Sequence, residues 1–97
     1  MLIKAGVDIS RLTRETRKAL SFCDRLLSSF NYELIITSTY EGNHSAGSLH
    51  YCNQAFDFRK PPDHIHEIVI ALKEMLGPDY DIIVEKDHIH IEYDPKG

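Results

Sequence analysis

No stretch of this sequence approaches the run of about 20 apolar residues that a helix needs to cross a bilayer. Cysteine occurs only twice, as Cys23 and Cys52, too few for a disulfide framework. Lys and Arg number 11 against 15 Asp and Glu, a net charge of −4. Without a basic cluster, that balance argues against nucleic acid as a main partner. The opening Met1-Leu2-Ile3-Lys4-Ala5-Gly6 is too short and too soon charged for a secretory signal. The chain is therefore expected to be synthesised in the cytoplasm, with no membrane segment.

What is present is ordinary globular composition, 42% hydrophobic and 27% charged, over 97 residues. That length makes a single domain, 1–97, near the lower end of what one hydrophobic core can hold unaided. A bound metal would add to its stability, because the free energy of binding is part of the free energy of folding.

Ile9, Leu12, Ala19, Leu20, Cys23, Leu26, Leu27 and Phe30 recur at helical spacing and predict a helix over 8–30. Asp8 or Ser10 would cap it, and Asn31 would end it. Arg11, Arg14, Arg17 and Lys18 read as its solvated face, and Cys23 as a buried thiol. Residues 32–40, rich in Ile, Thr and Tyr, predict a strand, followed by a glycine-containing loop over 41–47. A second strand is expected over 55–59, stopped by Pro61-Pro62. Asp63 would then cap a helix carrying Ile65, Ile68, Val69, Leu72, Met75 and Leu76, with Gly77-Pro78 ending it. Strands over 80–85 and 88–93, joined by Lys86-Asp87, predict a tight hairpin, and 94–97 a tail. The fold class is α+β: a small antiparallel sheet with two helices on one face and an open groove on the other.

The chemistry concentrates in His50-Tyr51-Cys52-Asn53-Gln54-Ala55-Phe56-Asp57 and in His88-Ile89-His90. A histidine and an aspartate with six residues between them, followed by His-x-His, supply three good zinc ligands and leave a fourth position open, as catalytic sites do. Strand parity sharpens this. With Phe56, Phe58, Ile89 and Ile91 on a buried face, Asp57, His88 and His90 share the opposite one, and His50 reaches it from the preceding loop. Cys52 is a spare candidate ligand. Asp63-His64-Ile65-His66 repeats the letters of Asp87-His88-Ile89-His90. On a helix, however, residues two apart point about 200° apart, so His64 and His66 cannot share an ion. If Lys86 and Asp87 form a two-residue turn, Glu85 stands opposite His88 on the face of His90. Glu85 is then a candidate general base, with Asp87 its rival, and His88 a candidate for stabilising an oxyanion or moving a proton.

Gly42-Asn43-His44-Ser45-Ala46-Gly47-Ser48-Leu49-His50-Tyr51, then Ala55 and Asp57, then Glu85 ahead of His88-Ile89-His90, resembles the zinc site of the hedgehog signalling domain. More broadly it is similar to LAS-type zinc peptidases: D-Ala-D-Ala carboxypeptidases and dipeptidases, and phage endolysins that cut L-Ala-D-Glu bonds. The resemblance covers roughly residues 36–93. It implies zinc held by His50, Asp57 and His90, with Ser48 and His44 near the substrate. Two positions depart from the pattern. Asn53 stands where the family has glycine; it is the non-glycine residue best suited to a left-handed backbone. Residues 37–41 also lack the arginine that many carboxypeptidase members place there, unless one such as Arg59 arrives from elsewhere.

The resulting expectation is a zinc-dependent metallopeptidase acting on peptidoglycan peptides, an endopeptidase or D,D-carboxypeptidase. It would be a monomer that meets cell wall after release or within a phage particle. The competing class is a non-catalytic zinc-binding scaffold or interaction module built on the same fold.

Overall fold

The computed structural model of the protein describes residues 1–40 and 54–95. Its elements in chain order are β1 (Leu2–Ile3), α1 (Arg14–Ser29), β2 (Ile35–Tyr40), β3 (Ala55–Arg59), α2 (Ile65–Leu76), β4 (Tyr80–Val84) and β5 (His88–Tyr93). The strands form one five-stranded sheet in the order β1-β2-β3-β5-β4. The α+β class is as expected. Four strands pair antiparallel, but β1 runs parallel to β2, so the sheet is mixed rather than wholly antiparallel. A two-residue strand has no period to read, and only its backbone bonds reveal it: Leu2 N–H to the Leu34 carbonyl at 2.8 Å and Lys4 N–H to that of Ile36 at 2.9 Å.

β3 is central and is buried from Ala55 to Phe58. Its alternation sends Phe56 and Phe58 into the core beside Ile89 and Ile91 of β5, all four fully buried. Leu20, Cys23 and Leu27 of α1 and Ile68, Leu72 and Leu76 of α2 pack onto that face and close the core. Each such aliphatic or aromatic side chain contributes roughly 1.5–3 kcal/mol by leaving water. Both helices therefore cover one side, and the other side of β3 is left for polar chemistry.

α1 begins later than its apolar spacing suggests. Thr13 is the cap, its Oγ1 accepting from Thr16 N–H at 3.3 Å. Asp8 instead accepts from Ser10 N–H at 2.8 Å in a local turn, and Ser10 does not occupy the cap position. Ile9 and Leu12 still reach the core from this irregular segment, which is why the helical period extends too far. Arg11, Arg14, Arg17 and Lys18 are exposed, as a solvated face requires. Asn31 ends the helix in the left-handed region, φ 65°.

α2 also departs at its start. His64, at φ 64°, occupies the cap position, and Asp63 accepts from His64 N–H rather than from the helix. Tyr32 and Phe30 hold the His64 ring. Met75, expected on the buried stripe, is exposed, whereas Leu76 is buried. Gly77 ends the helix at φ 81°, its N–H on the Lys73 carbonyl at 3.0 Å.

Between β2 and β3 the register slips. Ile36 pairs with Phe58, but the next pair is Ser38 with Asp57, so Thr37 is an extra, bulged residue. Ser38 is thereby turned to the face of Asp57 and Thr39 to that of Phe56. Bulges of this kind re-aim side chains beside functional sites. Among the described residues, no helix is long and apolar enough to cross a membrane.

Candidate functional site

The open face of β3 and β5 is built by register. Asp57 pairs with His90, and Arg59 with His88. Asp57 is 5% exposed, and a buried carboxylate is costly unless partnered. Two of its partners are histidines. His90 Nδ1 donates to Asp57 Oδ1 at 2.7 Å, and His88 Nε2 lies 3.6 Å from Asp57 Oδ2.

Each histidine has a second carboxylate behind it. Glu92 Oε1 lies 3.1 Å from His90 Nε2, and Asp87 Oδ1 lies 2.7 Å from His88 Nδ1. This is the arrangement that fixes ring orientation when imidazole serves as a metal ligand. The Asp87 hydrogen bond is the chief cause that raises the His88 pKa, burial opposes it, and the charge of Asp57 adds to it. In return, His88 holds the Asp87 carboxyl below its usual range.

The hairpin has the two-residue turn expected. Glu85 N–H donates to the His88 carbonyl at 2.9 Å, with Lys86 and Asp87 between them. Val84 pairs with Ile89, so Glu85 belongs to the face of His88 and His90. The Asp87 side chain turns to His88. A groove of about 640 Å³ opens beside these residues, lined by Thr37, Asp57, Arg59, Asp87 and His88 together with lysines from three segments.

Of the residues expected at the site, the structure brings together Asp57, His88 and His90, with Glu85 opposite His88. His44, Ser48, His50, Cys52 and Asn53 lie outside the described residues. Chemically, Asp57 Oδ1 and His90 Nδ1 are adjacent oxygen and nitrogen donors of the kind zinc binds, each at about 2.0–2.2 Å. His90 could turn Nδ1 to an ion while Glu92 keeps Nε2 in place. Those residues fit zinc.

Glu92 is a participant that sequence reading missed, although it stands two residues after His90 and parity places it on the same face. It also belongs to a carboxylate group with Asp81 and Asp94, whose ligand atoms lie within 4.8 Å of one another. Asp81 is the cross-strand partner of Glu92. An all-oxygen set of that kind suits a hard cation rather than zinc. Among family models, curated proteins and solved structures, none matches the chain.

Proposed function

We propose that this domain is a zinc-dependent peptidase acting on the peptides of bacterial cell wall, with His50, Asp57 and His90 as the metal ligands. The observation that supports it is the buried Asp57 set between two histidines, each steadied by its own carboxylate, at the floor of an open groove. Bound there, zinc would supply an attacking water of lowered pKa and Lewis-acid polarisation of the scissile carbonyl.

The chain's own residues do the rest. Asp57 and His90 hold the site rigid from two paired central strands, and Glu92 fixes the His90 ring. Glu85 takes the proton of the attacking water and returns it to the leaving amine, with Asp87 the rival for that role. His88, kept cationic more readily by Asp87, stabilises the negative charge that develops on the carbonyl oxygen. Ser48 and His44 contact substrate. The protein meets its substrate after release or from a phage particle.

A non-catalytic zinc module is the second reading. One observation favours it: the groove is lined by Asp87, whose carboxylate is engaged with His88, and not by Glu85. A single assay separates the two. Zinc-loaded protein incubated with purified peptidoglycan should release new amino termini. No release at any zinc loading would leave only the binding module.

A further inference from the structure

A second cavity, of about 500 Å³, lies on the helix-covered side of the sheet, within the usual size range of small-ligand sites. Tyr93 follows the buried Ile91 by two residues and so points to the helix side, and Tyr80 is its cross-strand partner. Both rings line the cavity, with centroids 5.1 Å apart and planes tilted by 55°, so neither covers the face of the other. The Tyr80 hydroxyl donates to the Glu15 carbonyl at 2.9 Å, which fixes that ring against the first turn of α1. Leu76, the last residue of α2, adds an apolar wall. Arg14 and Lys18 of α1 line the same space together with the carboxylates of Glu15 and Asp79. The two cations are balanced by the two anions, so the cavity carries no net charge to draw in an ion.

We propose that this cavity is a carbohydrate-binding exosite that takes an uncharged sugar unit of a glycan chain. A sugar ring presents a face of C–H groups and a rim of hydroxyls that both donate and accept. The negative face of an aromatic ring attracts such C–H groups. Guanidinium and carboxylate groups supply fixed donors and acceptors for the rim. The cavity holds that combination: the tyrosine rings and Leu76 for the apolar face, Arg14, Glu15 and Asp79 for the hydroxyls. Its charge balance selects against a phosphate or a cationic peptide. The bond from Tyr80 to Glu15 holds one ring in place beforehand, so less order has to be imposed on binding. Resting on the peptidase reading above, the inference adds the glycan strand of the cell wall to the peptides already invoked. Because the cavity is on the other side of the sheet from Asp57, it cannot hold the scissile bond. It keeps the protein on the polymer and raises the local concentration of wall peptides at the groove.

NMR titration of the full chain with chitotetraose, without added metal, reads binding apart from turnover. The amides of Arg14, Glu15, Tyr80 and Tyr93 should shift, and added salt should leave the affinity unchanged, as for any neutral ligand. Tyr93→Ala should weaken binding about tenfold, whereas Tyr93→Phe, which keeps the ring, should bind as the parent does. Arg14→Gln should weaken it several-fold, and Arg25→Gln, on α1 outside the cavity, should leave it intact. Arg14 is exposed, so its variant reads the site even where Tyr93→Ala fails to fold. No shift at these amides overturns the exosite, as does an Arg14→Gln variant that binds as tightly as the parent. Tighter binding of inorganic phosphate than of chitotetraose at the same amides also overturns it, in favour of an anion site at the start of α1. With zinc added, Arg14→Gln should lower the rate on intact peptidoglycan relative to that on a soluble wall peptide, and an unchanged ratio would contradict the tethering role. Sugar binding without cleavage of either substrate would sink the peptidase and leave the exosite standing. Cleavage of both substrates without sugar binding would do the reverse.

Discussion

Asp57 and His90, 33 residues apart in sequence, are direct partners across β3 and β5, with carboxylate oxygen and imidazole nitrogen 2.7 Å apart. Because both strands are held by fully buried residues on their other face, the pair cannot drift without disturbing the core. A site built on paired central strands is more rigid than one carried by loops.

Zinc should therefore bind at one equivalent per chain and raise thermal stability, since a ligand of the folded state stabilises by about 2.7 kcal/mol at a hundredfold excess over its Kd. Asp57→Ala should lose both the metal and the gain. Elemental analysis after gel filtration checks this, and a fully loaded Asp57→Ala variant would remove Asp57 from the ligand set.

For the proton-transfer role, Glu85→Gln is expected to keep zinc and fold while losing about 10²–10⁴-fold in hydrolysis, the usual contribution of a general base. Asp87→Asn should cost less, through the orientation of His88 alone. If the ranking is reversed in peptide-cleavage rates, Asp87 carries the proton.

The Asp87–His88 pair should also leave a trace in pH titrations of the metal-free protein. His88 has a raised pKa when folded, so its stabilising effect is complete below the unfolded value and fades as pH rises through the folded one. Asp87 has a lowered pKa, so its effect is present above its unfolded value and fades as pH falls through the folded one. The pair is thus fully formed between about pH 4 and 6.5, bounded by the ordinary values of the two groups. Asp87→Asn should bring the His88 imidazole titration down towards 6.5; an unchanged NMR midpoint would show that Asp87 does not set it.

Thr13→Ala should lower stability by about 1 kcal/mol, the common cost of losing a helix cap, and Ser10→Ala by far less. Urea denaturation of both variants decides whether α1 starts where Thr13 places it; equal losses would contradict that start.

Much of this arrangement is legible in the chain because two-residue alternation survives folding intact. Phe56, Phe58, Ile89 and Ile91 identify the buried face, and so identify Asp57, His88 and His90 as neighbours. Lys86-Asp87 identifies the turn. Features without a period are hidden. Leu2–Ile3 is too short to alternate, and three polar residues before α1 all have cap chemistry, so only packing selects Thr13. His64 takes a left-handed backbone conformation that a non-glycine residue rarely adopts, held by Tyr32 and Phe30 from a distant segment. The basic groove is invisible for a similar reason: Lys4, Arg59 and Lys86 form no cluster in sequence and meet only through the sheet.

The bulge at Thr37 makes β2 unequal in its tolerance of shortening. Removing Ile36 would take a fully buried side chain out of the core. Removing Thr37 instead restores unbroken two-residue pairing from Ile36–Phe58 to Ser38–Asp57, with every remaining side chain on the face it already occupies. A deletion scan along β2, followed by melting temperature, should find Thr37 and Ser38, which share the place opposite Asp57, more permissive than Ile36. What is forfeited there is the hydrogen bond that Thr37 Oγ1 donates to the Asp57 carbonyl at 3.4 Å, so a chain shortened at Thr37 would keep the sheet while losing one wall of the groove.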